Sequence, residues 1–192
     1  MASPRKKDDD RLARELLLST AFSMEWMKLD EPRRRAVEEW LATFRGKAPK
    51  EPKKIFISWC ESNPKNSYLV EELLDPFLTA LGFDVHYYKK DKQLGTPEKV
   101  IWSVMDKCEL FVSLYTKDEG ESAAGNVIRE TGRRLDNSPE GTILFHELGV
   151  KIESMTYPKV LCVGFSMEKH GKLLLDLLNV LKNNGLLEIH GE

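Results

Sequence analysis

From Ile55 onward the chain alternates short, almost continuously apolar runs with stretches whose apolar residues recur every three or four positions. "KIFISWC", "FDVHYY", "LFVSLYT" and "PKVLCVGF" are runs of the first kind and predict four strands, with "LLEIH" a short last one. "SYLVEELLDPFLTALG", "PEKVIWSVMDKCE" and "GKLLLDLLNVLKNNG" have helical spacing, the first stopped at Gly82 and the last at Gly185. "TILFHELGVKI" starts like a buried strand and ends like a helix, with Glu147 at the changeover. Strands alternating with helices call for crossover connections and a parallel sheet covered on both faces. The continuous apolar character of the strand runs fits burial on both sides. The expected fold is therefore a doubly wound α/β domain over residues 55–192.

The amino-terminal part has a different pattern. "DRLARELLLSTAFSMEWM" carries Leu12, Leu16, Ala21, Phe22 and Trp26 at helical spacing. A second helix starts with Asp30 as cap and Pro32 in its first turn, and lines up Ala36, Val37, Trp40, Leu41 and Phe44. Residues 1–48 thus read as a helical extension and 49–54 as a linker, with Gly46, Pro49 and Pro52 ending the helix. A pair of helices this small cannot bury its own aromatics, so it is expected to pack on the main domain or on another copy. Between Thr116 and Thr142 about 25 residues intervene, longer than ordinary loops.

Composition narrows the partners. A hydrophobic share of 41% supports a packed core, and a net charge of −2 favours neither nucleic acid nor an acidic membrane. No apolar run approaches the length of about 20 residues that spans a bilayer, and "MASPRKKDDD" lacks the apolar core of a secretory signal. Cys60, Cys108 and Cys162 are expected to be reduced, buried thiols, which implies a cytoplasmic protein. Four scattered histidines offer no metal-ligand spacing.

In a sheet of this kind ligands bind beyond the carboxyl ends of the strands, where the strand order reverses. The residues expected there are Ser58, Trp59 and Cys60, the loop from Lys89 to Thr96, then Ser113, Tyr115 and Thr116, and finally His146 and Glu147. The glycine-rich cradles for dinucleotides and triphosphates are absent, as is a serine nucleophile elbow. Gly95 and Thr96 stand before a helix whose free N–H groups could hold phosphate, although on these residues alone plain capping is the favoured reading. Lys89, Lys90 and Lys92 could assist a phosphate, and Trp59 or Trp102 could stack on a base; surface lysines are usually idle and tryptophan is usually core.

The ordered series "KIFISWC", "LGFDV", "LGTPEKVIWSVMDKCELFVSLYTKDEG", "FHELGVKI" and "PKVLCVGF" resembles a TIR (Toll/interleukin-receptor type) domain over about residues 54–190. It is most similar to the bacterial TIR-like nucleotide-binding branch of antiphage defence, with "SLYTKDEG" for an LLTPDD-like motif and "TILFHELGVKI" for an NVxFELG-like one. The resemblance implies a flavodoxin-like sheet of order 2-1-3-4-5. It implies NAD as a substrate, with no further cofactor, and cleavage of the nicotinamide–ribose bond by hydrolysis or cyclisation. It implies a single glutamate, which the motif match puts on Glu147, and a gating and self-association loop at Lys89–Thr96. Partners would then be NAD or a related nucleotide, a second copy, or a partner effector protein.

Glu130, in "SAAGNVIRETG", is a rival for the acid. Glu147 is preferred because its helix runs directly into the apolar strand "PKVLCVGF", the order the resemblance implies, while Arg129, Arg133 and Arg134 around Glu130 suggest an exposed helix laced with ion pairs. The bland reading of Glu147 is a first-turn helix acid that favours the dipole. A catalytically silent TIR-type binding module is the alternative function, and a nucleoside deoxyribosyltransferase-like enzyme a third.

Overall fold

The computed structural model describes residues 52–90, 97–117, 121–150 and 160–187, together with Pro32, Arg35 and Glu39, which are helical and exposed. The rest of the expected helical extension lies outside the described residues. Five strands form one sheet: β1 (Lys54–Ser58), β2 (Asp84–His86), β3 (Leu110–Tyr115), β4 (Thr142–Glu147) and β5 (Leu161–Phe165). All neighbours are parallel and the order is β2-β1-β3-β4-β5, a flavodoxin-like α/β arrangement. The strand order reverses at β1, so a crevice opens between the tips of β1 and β3.

One departure concerns strand count. The opening of "TILFHELGVKI" is a full central strand running to Glu147, followed by a turn at Leu148–Gly149. The expected helix after Glu147 falls at 151–159, outside the described residues. "LLEIH" is not a strand at Leu186–Leu187, where the chain has just left a helix, and its remaining residues lie outside the description. β1 begins at Lys54, one position inside the expected linker.

Strand alternation sorts the side chains onto two faces. On the first, Ile55, Ile57, Val85, Val112, Leu114, Ile143, Phe145 and Phe165 meet the helix that follows β1 and the last helix, α5 (His170–Asn183). On the second, Phe56 and Phe111 stack at 6.0 Å with Met105 of α3 (Pro97–Met105). Further along the same face, Cys60, Tyr115 and Leu144 pack with Val127 of α4 (Glu121–Asn137).

The helix after β1 runs unbroken from Pro64 to Ala80 but changes pitch: α1 (Pro64–Ser67), a π-helical segment (Tyr68–Leu74) and α2 (Asp75–Ala80). Pro76 supplies the reason. Its ring and missing N–H disrupt the regular ladder, and the wider turn just before it, with Asp75 N–H donating to the Val70 carbonyl, accommodates the break. The helix stops at Gly82, whose φ of 90° permits the Gly82 N–H and Phe83 N–H to return to the Thr79 and Leu78 carbonyls.

Two expectations about exposure are corrected. Cys60 and Cys108 are buried, but Cys162 is exposed, because β5 is the outer strand of the sheet. α4 is not a solvated helix: Val127, Thr131, Arg134 and Leu135 all turn inward. Its arginine is held by carbonyls rather than by acids, with Arg134 donating to the backbone of Cys108, Glu109 and Glu140 at 3.1, 3.0 and 3.3 Å. Among the described residues no helix is long and apolar enough to cross a membrane.

Candidate functional site at the tips of β1 and β3

Ser58 and Ser113 are opposite partners at the last paired position of β1 and β3, at the reversal point of the sheet. Both point to the face covered by α4, and both are buried. A hydroxyl in such a place needs a partner, since an unmet one costs about 1–3 kcal/mol. α4 supplies two. Ser58 Oγ donates to Glu130 Oε2 at 2.5 Å, and Ser113 Oγ meets Thr131 Oγ1 at 2.7 Å. Thr131 Oγ1 also donates to the Val127 carbonyl at 2.7 Å.

Glu130 is partly buried, and removal from water pushes its carboxyl above the usual range. The Ser58 hydrogen bond and, to a smaller extent, the Arg129 charge pull it back in part. Its second oxygen carries no hydrogen bond among the described residues. Tyr115, two positions beyond Ser113 on the same face, is buried beside it. Burial raises its phenol, and the hydroxyls of Thr131 and Ser113 oppose that shift. Asn66, wholly buried in the first helical turn after β1, donates to the Cys60 carbonyl at 3.3 Å and to Thr116 Oγ1 at 2.8 Å. It thereby ties the two strand tips together across the crevice. The sequence reading missed Asn66; its position two residues after Pro64, directly behind β1, was the available signal.

Glu147 has different surroundings. It is the last residue of β4, on the face of Ile143 and Phe145, opposite the one that carries Ser58. Its Oε2 accepts from the Lys117 backbone N–H at 2.8 Å, which fastens the end of β4 to the chain leaving β3. His146, beside it, turns to the α4 face and lies over Gly164. A side chain on that glycine would press on Leu148 and on the His146 ring at 3.1 and 3.4 Å. The His146 Nδ1 is buried and has no hydrogen-bond partner among the described residues.

The other expected residues divide in two. Trp59 belongs to the first face, where it meets the edge of Tyr87 at 6.5 Å, and so stands across the sheet from Glu130. Lys89 holds both carboxylate oxygens of Glu71 at 2.7 and 2.8 Å, and Lys90 is paired with Asp75. These lysines are already committed to the helix after β1. Gly95 and Thr96 lie outside the described residues. Trp102 lies under the Arg133 guanidinium, 4.7 Å from its ring centre. The structure therefore brings together Ser58, Ser113, Tyr115 and Glu130, with His146 on the same face, and leaves Trp59, Lys89 and Glu147 apart from them. Among the described residues no group of three or more His, Cys, Asp or Glu side chains is placed to hold a metal ion. The chain matches no protein-family model and no curated protein.

Proposed function

We propose that this chain is a TIR-type effector that cleaves the nicotinamide–ribose bond of NAD, with Glu130 rather than Glu147 as the acid at the reaction centre. The observation that carries the reading is the carboxyl of Glu130. It is drawn out of water at the reversal point of a parallel sheet, anchored through one oxygen to Ser58 and open at the other. Perturbed acids in such crevices are candidates for chemistry.

The reaction suits one carboxylate. The C1′–N bond breaks with its electron pair passing to the pyridinium nitrogen, so nicotinamide departs neutral and needs no proton. Positive charge develops on the ribose, where an ionised Glu130 stabilises it and accepts from a ribose hydroxyl. Water then attacks C1′ and releases a proton to solvent, giving ADP-ribose; attack by a group within the ADP-ribose gives a cyclic product instead. Because burial raises the Glu130 carboxyl, activity rises as pH climbs through its titration.

The test is product analysis after incubating the full chain with NAD, beside Glu130→Gln and Glu147→Gln, at a concentration where light scattering shows assembly. The expected result is nicotinamide release that drops by about a hundredfold or more in Glu130→Gln and survives in Glu147→Gln. Retained cleavage in Glu130→Gln refutes the assignment. NAD binding without turnover by the assembled wild-type chain selects the silent binding module.

A further inference from the structure

We infer that Ser58 is not a ligand-contacting residue but a positioning residue, whose hydroxyl orients the Glu130 carboxylate and holds it ready in its charged form. The inference rests on the proposed reading only for its kinetic arm; the geometric and titration arms concern the pair itself.

The hydroxyl has one direction open to it. Ser58 occupies the last position of a strand that is otherwise "KIFI", and it is 1% exposed, so solvent does not reach it. Its partner across the ladder, Ser113, cannot supply the acid with a proton. Thr131 spends its own hydrogen on the Val127 carbonyl, so the 2.7 Å contact between Ser113 and Thr131 is one in which Ser113 donates. Two serines in register thus have separate duties: Ser113 closes onto the backbone of α4 through Thr131, and Ser58 alone addresses the carboxylate. The 2.5 Å separation is a short hydrogen bond, within the range a hydroxyl makes to a carboxylate oxygen.

The other groups around Glu130 do not duplicate this. Arg129, on the same helix, contributes the smaller attraction. β3 offers Ser113, whose hydroxyl serves Thr131, and Tyr115, whose buried hydroxyl has no hydrogen-bond partner among the described residues; β4, packed on α4 through Leu144, offers His146, whose buried Nδ1 likewise has none. Cys60, following β1, shares its contact with Ser62 Oγ at 3.0 Å. With one oxygen tied to Ser58, rotation about the last side-chain bond of Glu130 is restrained, and the free oxygen is presented in a defined direction. Orientation of this kind acts on the chemical step more than on binding.

The experiment uses the full chain as wild type, Ser58→Ala and Ser58→Thr, with Glu130→Gln to assign the signal. The first readout is the carbon-13 resonance of the glutamate side-chain carboxyls followed against pH. The Glu130 titration is expected to move to higher pH in Ser58→Ala and to return toward wild type in Ser58→Thr. Titration in Ser58→Ala at the wild-type position overturns the inference whether or not the protein cleaves NAD. The second readout is the pH profile of nicotinamide release. In Ser58→Ala the acidic limb is expected to move up in pH, with kcat about tenfold lower and KM within a factor of two or so. A rise in KM at unchanged kcat would instead make Ser58 a substrate contact and overturn the positioning role. Circular dichroism and urea melts of each variant separate these outcomes from loss of fold.

Discussion

Replacing Arg134 by alanine should reveal how α4 is held against the sheet. The side chain is 5% exposed and its guanidinium donates to three backbone carbonyls, those of Cys108, Glu109 and Glu140. These carbonyls stand at the entrances to β3 and β4, where Phe111 N–H also meets the Gly141 carbonyl at 2.9 Å. Each hydrogen bond from a charged donor contributes about 1.5–3 kcal/mol. Against that stands the cost of keeping the cation from water, which is why burial lowers the pKa of Arg134, a shift opposed in part by Cys108, Asp106 and Glu109. The contact at 3.3 Å is the weakest of the three. Two good bonds and one poor one, less the desolvation cost, leave an expected loss of about 3 kcal/mol for Arg134→Ala. Arg134→Lys should recover less than half of this, because one ammonium cannot span three separate carbonyls. Urea unfolding followed by circular dichroism measures the effect as a fall in midpoint at unchanged slope. A loss below about 1 kcal/mol for Arg134→Ala would refute the reasoning, since water would then be replacing the guanidinium at no cost.

The raised Glu130 carboxyl makes a second prediction through its sign. A carboxyl whose folded pKa lies above its unfolded value costs nothing below the ordinary glutamate range, where both states are protonated. The folded state loses stability as pH rises through the shifted titration, and the loss persists at neutral pH. Glu130→Gln, which can still accept from Ser58, is therefore expected to be more stable than wild type at pH 7 and to lose that advantage toward pH 4; melts showing a pH-independent difference would contradict this. Gly141→Ala is expected to cost about 2 kcal/mol or more, because φ is 74° and the new Cβ would stand 2.5 Å from the Glu109 carbonyl oxygen. Gly185→Ala, at φ 66° with open space around it, should cost only the backbone strain of about 1 kcal/mol. Comparable losses for the two in urea unfolding would argue against the clash.

The sheet was legible in the sequence because doubly buried parallel strands are written as unbroken apolar runs, and the crevice rule then pointed to Ser58, Ser113 and Tyr115. Strand β4 was harder to count. Its run ends in His146 and Glu147, and a carboxylate at a strand tip looks like the first turn of a helix. The setting of Glu130 was not legible for a physical reason. The inward face of α4 is built from Val127, Thr131, Arg134 and Leu135, two aliphatic side chains separated by a hydroxyl and a guanidinium, so apolar periodicity marks it only weakly. Arginines at Arg129, Arg133 and Arg134 suggested a wet helix, yet Arg134 is buried on carbonyls and Arg133 lies over Trp102 while pairing with Asp106. The partner that gives Glu130 its setting is Ser58, 72 residues earlier in the chain. No local pattern encodes a contact of that span. Trp59 stands across the sheet from Ser58 for a related reason: alternation at the end of a strand puts neighbours on opposite sides.

The place of β1 within the sheet also governs how the protein comes into being. β1 is the first of the five described strands to be made, yet its second neighbour, β3, begins to pair only 55 residues later, with Ile55 opposite Leu110. At a synthesis rate of about 5–20 residues per second this is a wait of roughly 3–11 s. For about the first half of it no partner strand has been made, and afterwards β2, of only three residues, pairs with Lys54, Ile55 and Phe56 but not with Ile57. The crevice must wait longer still, since Glu130 is made after β3 is complete. A nascent chain therefore holds the serine without its acid until the helix that carries Glu130 has been made and has docked on the sheet.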